Sequence, residues 1–236
     1  YASDASTAVR RLSGKPCAVN AAFWTPARAR LTGEGLSERM QAMSSRERIC
    51  LASASPRRQE LLRQIDVAYT IHAPDIDEEP QNEESPIDLA RRLAVDKLHA
   101  VRDRVDERLV LAADTVVFLG DHVLGKPATR EEARRMLDTL SGRTHAVVSA
   151  FALFNRDTGE TTVDMGVTKV LFALLEEDEI ERYLDTAEWQ GVAGGYRIQE
   201  RAAALVTQIH GEYATVVGLP IRRLYSILRQ SKYMLP

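Results

Sequence analysis

Cysteine is scarce: the 236-residue chain has two, Cys17 and Cys50. Two isolated thiols make neither a disulfide framework nor a paired metal-ligand spacing, a usage that fits a reducing cytosol and a cytoplasmic protein. Five histidines, at positions 72, 99, 122, 145 and 210, are scattered with no pair at helical zinc spacing, so a histidine-built metal site is not expected. No run of about 18 apolar residues occurs, which leaves no membrane-spanning helix and no expected membrane partner. Basic charge is not in excess either, with 31 Lys and Arg against 34 Asp and Glu and a formal net charge of −3. A general nucleic-acid binder usually carries a basic surplus to neutralise phosphates, so that class ranks last. A small anion held in a local basic pocket remains compatible with this balance.

What remains is the composition of a globular protein, 44% hydrophobic and 28% charged with both signs mixed. Residues 1–46 stand apart. They are rich in Ser, Ala and Arg and show no sustained hydrophobic period. Their apolar stretch is brief and interrupted, unlike a signal peptide, and they read as a disordered arm or as translated upstream sequence with Met40 or Met43 as the start. Regular patterning begins at Glu47, so residues 47–236 are expected to form the folded domain.

"ERICLAS" reads as a short buried strand and "SPRRQELLRQI" as a helix, with Ser55 at the N-cap and Pro56 at the first helical position. "VAYTIHA" predicts a second strand, followed by the acidic turn "PDIDEEP" and the amphipathic helix "SPIDLARRLAVDKLHAVRDRV". "RLVLAADTVVFLG" reads as a strand buried along most of its length, and "TREEARRMLDTLSG" as a helix with a Thr cap and a Gly stop. Two long strands joined by "RDTGE" form a hairpin, and "EEDEIERYLDT" and "IRRLYSILRQ" are helices. "RAAALVTQIHGEYATVVGLP" reads as a strand pair. Strands and helices alternate first and a hairpin follows, which predicts an α/β fold around a mixed, twisted sheet flanked by helices.

Three features carry chemistry. In "LASASPRRQELL", Arg57 and Arg58 stand at a helix start, where the dipole is already positive and acids are preferred. Exposed N–H groups there, the hydroxyls of Ser53 and Ser55, and two guanidinium forks would make an anion cradle; the plain alternative is a solvated helix start paired with acids such as Glu60. In "LVLAADTVVFL", Asp114 is a lone carboxylate inside an apolar strand, where an unpaired charge is costly and must meet a partner, a metal or water. "GDHVLGKP" matches the first seven positions of a P-loop, but Pro127 stands where Ser or Thr would hold magnesium, and no helix follows directly. A P-loop is therefore rejected, while Lys126 stays able to reach a phosphate or an acid. The "DIDEE" run at 75–79 is a solvated acidic loop unless it faces the arginines, where it would help hold a divalent cation. "GVAGGYRIQ" is Gly-rich without being a dinucleotide fingerprint, and Gln199 can donate and accept at once, as a base edge requires.

Together these segments resemble the Maf family of nucleoside triphosphate pyrophosphatases from about Ile49 to Leu228, through "LASASPRRQELL", then "AADTVV" with "GKP", then "AGGYRIQ" with "VVGLP". The resemblance implies a Maf/inosine-triphosphatase-like fold with two lobes around a cleft, often dimeric, so a homodimer is an assembly to expect. It implies hydrolysis of a nucleoside triphosphate between its α- and β-phosphates with a divalent metal, magnesium or manganese, bridging Glu78 and Asp114 to the phosphate. By position, Asp114 matches the family's proton acceptor, and Arg57, Thr115 and Gln199 match its substrate-discriminating residues. Ser53, Arg58, Glu78, Lys97 and Lys126 match further polar residues of that cleft. "AGGYRIQ" resembles the branch acting on dTTP and UTP rather than the one acting on 7-methyl-GTP. The chain departs from the family at Glu200 and Ala202, where glycines are usual, which puts the base preference in question. The alternatives are a pyrophosphatase for modified nucleotides such as 7-methyl-GTP and a nucleotide-sensing regulator of cell division.

Overall fold

The computed structural model describes residues 47–235, so the expectation of a disordered or non-native arm over 1–46 lies outside the described residues. Five elements open the fold: β1 (Ile49–Ala52), α1 (Pro56–Gln64), β2 (Tyr69–Ile71), α2 (Pro86–Arg102) and β3 (Leu109–Leu119). β1 pairs in parallel with β2 on one side and with β3 on the other. The hairpin strand β4 (His122–Leu124) and α3 (Arg130–Leu140) follow, then the long antiparallel pair β5 (Thr144–Asn155) and β6 (Glu160–Phe172). The chain closes through α4 (Glu177–Asp185), β7 (Val206–His210), α5 (Tyr213–Val217) and α6 (Ile221–Gln230). Strand order is β2-β1-β3-β5-β6-β7, with β4 beside β3, which is the expected mixed sheet.

β3 is apolar along most of its length because both its faces are covered. Leu109, Leu111, Ala113 and Val117 point into one core, and Val110, Ala112 and Val116 into the other. The second core is roofed by α2, which contributes Leu89, Ala90, Leu93, Ala94, Leu98 and Val101 as one helical stripe. The first is covered by α1, α3, α4, α5 and α6. Helix starts follow their capping chemistry: the hydroxyls of Ser85 and Thr129 accept from the N–H groups of Asp88 and Glu132. Ser55 holds the expected N-cap position with Pro56 behind it, but its side chain makes no capping bond.

Two local expectations are corrected. "RAAALVTQIHGEYATVVGLP" is not a strand pair: residues Arg201–Leu205 form a 3-10 turn, β7 follows, and "YATVV" is the short helix α5. Gly211 and Gly218, at φ +132° and +135°, end the strand and the helix, and α5 buries Thr215 and Val217 inward. The stretch before "GKP" folds back on β3 as β4, a strand not anticipated.

Candidate active site

The sheet itself makes an opening. Along one edge of β3, β1 pairs only with Val110–Ala112, and β4 begins only at Val117. Residues 113–116 therefore have no ladder partner on that side among the described residues, while β5 pairs them on the other. This gap lies beyond the carboxyl end of β1, where the chain leaves for α1 after crossovers run in opposite directions from the β2-β1-β3 order. Such a switch point is where ligand sites form in open α/β sheets. A cleft of about 480 Å³ occupies it. Arg57, Thr115 and Gln199 line it, as do Ser53, Arg58 and Lys126, and so do Glu78, Lys97 and Asp114.

Asp114 points to the α2 side of β3 and is 7% exposed. Its Oδ1 lies 2.5 Å from Nζ of Lys97, the one charged side chain on the buried stripe of α2. The same ammonium is 2.6 Å from Oε1 of Glu78, whose Oε2 accepts from Lys126 at 2.9 Å. Burial acts to raise the Glu78 carboxyl, but the hydrogen bonds and charges of Lys97 and Lys126 outweigh it and hold its pKa down to about 2. Asp114, Lys97, Glu78 and Lys126 thus form one chain of alternating charge across the cleft floor, drawn from a strand, a helix and two connections.

The twin arginines divide their work. Arg58 is buried and donates from Nε to the carbonyl of Gly218 at 3.0 Å, and from its two terminal nitrogens to Ser53 Oγ at 2.9 Å and Thr115 Oγ1 at 3.3 Å. Thr115 contacts Ser149 Oγ at 2.8 Å, and Ser149 donates its single hydrogen to the carbonyl of Thr215 at 2.7 Å. Burial lowers the Arg58 pKa, and Asp114 and Glu78 oppose that from across the cleft. Arg57 has no hydrogen bond or ion pair among the described residues. Burial pulls its pKa down to about 10, with repulsion from Arg58 and Arg197 adding to the effect. Glu60, the acid that could have neutralised this helix start, is paired with Arg63 instead.

The opposite wall is the segment 190–199. Gly194 turns it at φ +72°, and a Cβ there would sit 3.0 Å from Val117 on β3. Its N–H donates to the carbonyl of Gly125, tying this wall to the "GKP" turn. Gln199 lines the cleft with no side-chain bond among the described residues, leaving its amide open to a ligand. Two lining residues escaped the sequence reading. Tyr196 hydrogen-bonds the buried His145 at 2.7 Å beneath the cleft, a pairing that no sequence spacing signals. Arg197 stood in plain view inside "AGGYRIQ", but an arginine between buried neighbours is legible as a site residue only once the turn is known.

Among the described residues no cluster of three or more His, Cys, Asp or Glu could hold a metal by itself. The donors that do converge are Glu78 and Asp114, whose oxygens already close on one cation, the Lys97 ammonium. Two carboxylates aimed at a common cation fit a hard divalent ion that takes its other oxygens from phosphate and water.

The Maf-like protein family model matches residues 48–231. A dTTP/UTP pyrophosphatase of Symbiobacterium thermophilum is 46% identical over 187 residues, covering 79% of this chain and 95% of that protein. One of Desulforamulus reducens is 45% identical over 181 residues, covering 77% and 95%. Among solved structures, the Staphylococcus aureus Ham1 protein is similar at a TM-score of 0.36 and 18% identity, over 53% of this chain and 72% of that one, a likeness too slight to weigh on the fold. The family match takes in every element that builds the cleft, from β1 to the end of α6, and the chain belongs to the Maf family.

Proposed function

We propose that the protein hydrolyses nucleoside triphosphates, dTTP and UTP, to the monophosphate and pyrophosphate. The observation that carries this reading is the charge of the cleft: five cations, Arg57, Arg58, Lys97, Lys126 and Arg197, meet only two carboxylates there, in a protein whose net charge is −3. A triphosphate supplies the missing negative charge. The similarity to dTTP/UTP pyrophosphatases supports the same substrate class.

In this reading the α-phosphate lies over the gap in the sheet, next to Asp114. Lys97 fixes the Asp114 carboxylate through Oδ1, and Oδ2 has no partner among the described residues, so it can accept a proton from water. The water oxygen bonds to the α-phosphorus as the bond to the bridging oxygen breaks, pyrophosphate leaves, and the proton passes to Asp114. Glu78 and Asp114 would hold a divalent ion, magnesium or manganese, whose contribution would be charge neutralisation. The protein's own share is positioning and fixed positive charge, the main needs of phosphoanhydride cleavage. Arg58 holds Ser53 and Thr115 in place, and Gln199 meets the base edge.

The test is a nucleotide panel (dTTP, UTP, 7-methyl-GTP and the common triphosphates) with and without added metal, read by product identity. Monophosphate with pyrophosphate from dTTP and UTP is expected. Release of single phosphates, or binding of every nucleotide without turnover, overturns the reading; preferential cleavage of 7-methyl-GTP moves the substrate to the modified-nucleotide class.

A further inference from the structure

The two sides of the cleft differ electrically. On the floor, Lys97 and Lys126 are matched by Glu78 and Asp114. On the rim, Arg57 from α1 and Arg197 from the 190–199 segment face the same cleft, and neither makes an ion pair among the described residues. Arg57 also registers the nearby Arg197 charge as a repulsion.

Arg197 is half-buried and tethered at two points. Its backbone N–H donates to the Tyr183 hydroxyl at 3.0 Å, and one terminal nitrogen donates to the carbonyl of Gln190 at 2.9 Å. Its Nε is shut away from solvent and has no acceptor. That atom is closed to a ligand in the cleft, but the other terminal nitrogen makes no hydrogen bond among the described residues and is open. An oxyanion in the cleft would accept from it and would relieve the repulsion between Arg57 and Arg197. The position of the floor acids decides which oxyanion. Asp114 must stand at the α-phosphorus, in a region already neutralised, whereas most of a triphosphate's negative charge lies on the two phosphates that leave.

We propose that Arg197 is a substrate-binding residue which, together with Arg57, grips the part of the nucleotide that departs as pyrophosphate. The inference rests on the pyrophosphatase reading for its choice of ligand. It adds a residue to the site and explains why the chain places a third arginine at the rim.

Calorimetric binding of inorganic pyrophosphate, and separately of UMP, to the wild-type chain and to R197Q tests it. R197Q is expected to weaken pyrophosphate binding by about tenfold or more while UMP affinity stays within about twofold. In turnover the same variant raises KM for the triphosphate and largely keeps kcat. Unchanged pyrophosphate affinity, no pyrophosphate binding by the wild type, or an equal loss for UMP overturns the proposal. Should R197Q lose the wild-type melting curve, R197K decides: a pyrophosphate affinity about three- to fivefold weaker supports a contact specific to the guanidinium, and an unchanged one refutes it. A wild type that binds pyrophosphate yet releases none from any nucleotide counts against the pyrophosphatase reading and leaves the Arg197 result to stand by itself.

Discussion

Lys97 and Asp114 look symmetrical as an ion pair, yet their removal has opposite consequences. Lys97→Met leaves the Asp114 carboxylate buried without its ammonium, and breaking such a pair costs about 3 kcal/mol in unfolding free energy. Asp114→Asn leaves Lys97 with Glu78, so denaturant unfolding stays close to wild type while kcat falls by roughly 10³, the scale of a lost general base. A D114N protein with near-normal kcat removes Asp114 from the chemistry. His145 gives a separate pH signature. Burial lowers its pKa from 6.5 to about 4, so the unfolded chain binds the proton more readily than the folded one. Its contribution is complete above pH 6.5 and is lost as pH falls toward 4, amounting to about 2 kcal/mol by pH 5. His145→Gln, which can still meet the Tyr196 hydroxyl, is expected to flatten unfolding free energy measured between pH 7 and 5. Asp114 was legible as a lone acid in an apolar run. Lys97 was found only through the family resemblance, although its place on an otherwise apolar helix stripe carried the same message.

Elements were readable where period and caps agreed. α2 and α3 start on Ser-Pro and Thr signals, and β5 and β6 are long enough that alternation survives local exceptions. The failures came where short segments obey tertiary packing rather than propensity. "YATVV" is β-branched and reads as strand, yet the glycines on either side close it into a helical turn that buries Thr215 and Val217. β4 is three residues long and exists because β3 extends past the end of β1 and offers an unpaired edge. The 190–199 wall depends on its glycine turn in the same way. Gly194→Ala forces a side chain into φ +72° and against Val117, costing about 1–3 kcal/mol. Because Arg197 and Gln199 ride on that turn, kcat/KM is expected to fall further than the loss of stability explains; an unchanged kcat/KM in the folded variant would separate the turn from substrate binding.

Over the whole molecule the charges are sorted rather than balanced: an acidic protein presents a cationic cleft. Attraction of a polyanion into such a site is screened once ionic strength shortens the Debye length to a few ångströms. Raising salt from about 0.05 M to about 0.5 M is therefore expected to raise KM for a triphosphate severalfold with kcat nearly constant. A KM indifferent to salt would mean that the arginines do not steer the substrate. The sorting also follows the architecture. Asp114 and Thr115 sit on the strand that β5 holds in ten-residue register, whereas Arg197, Gln199 and Glu78 hang from connections between elements. An exchange on those connections leaves the ladder untouched, and a shift of the Asp114 carboxylate would require tearing it. In the proposed roles, an exchange at Gln199 would therefore alter which base is accepted without moving the carboxylate beside the bond to be cut.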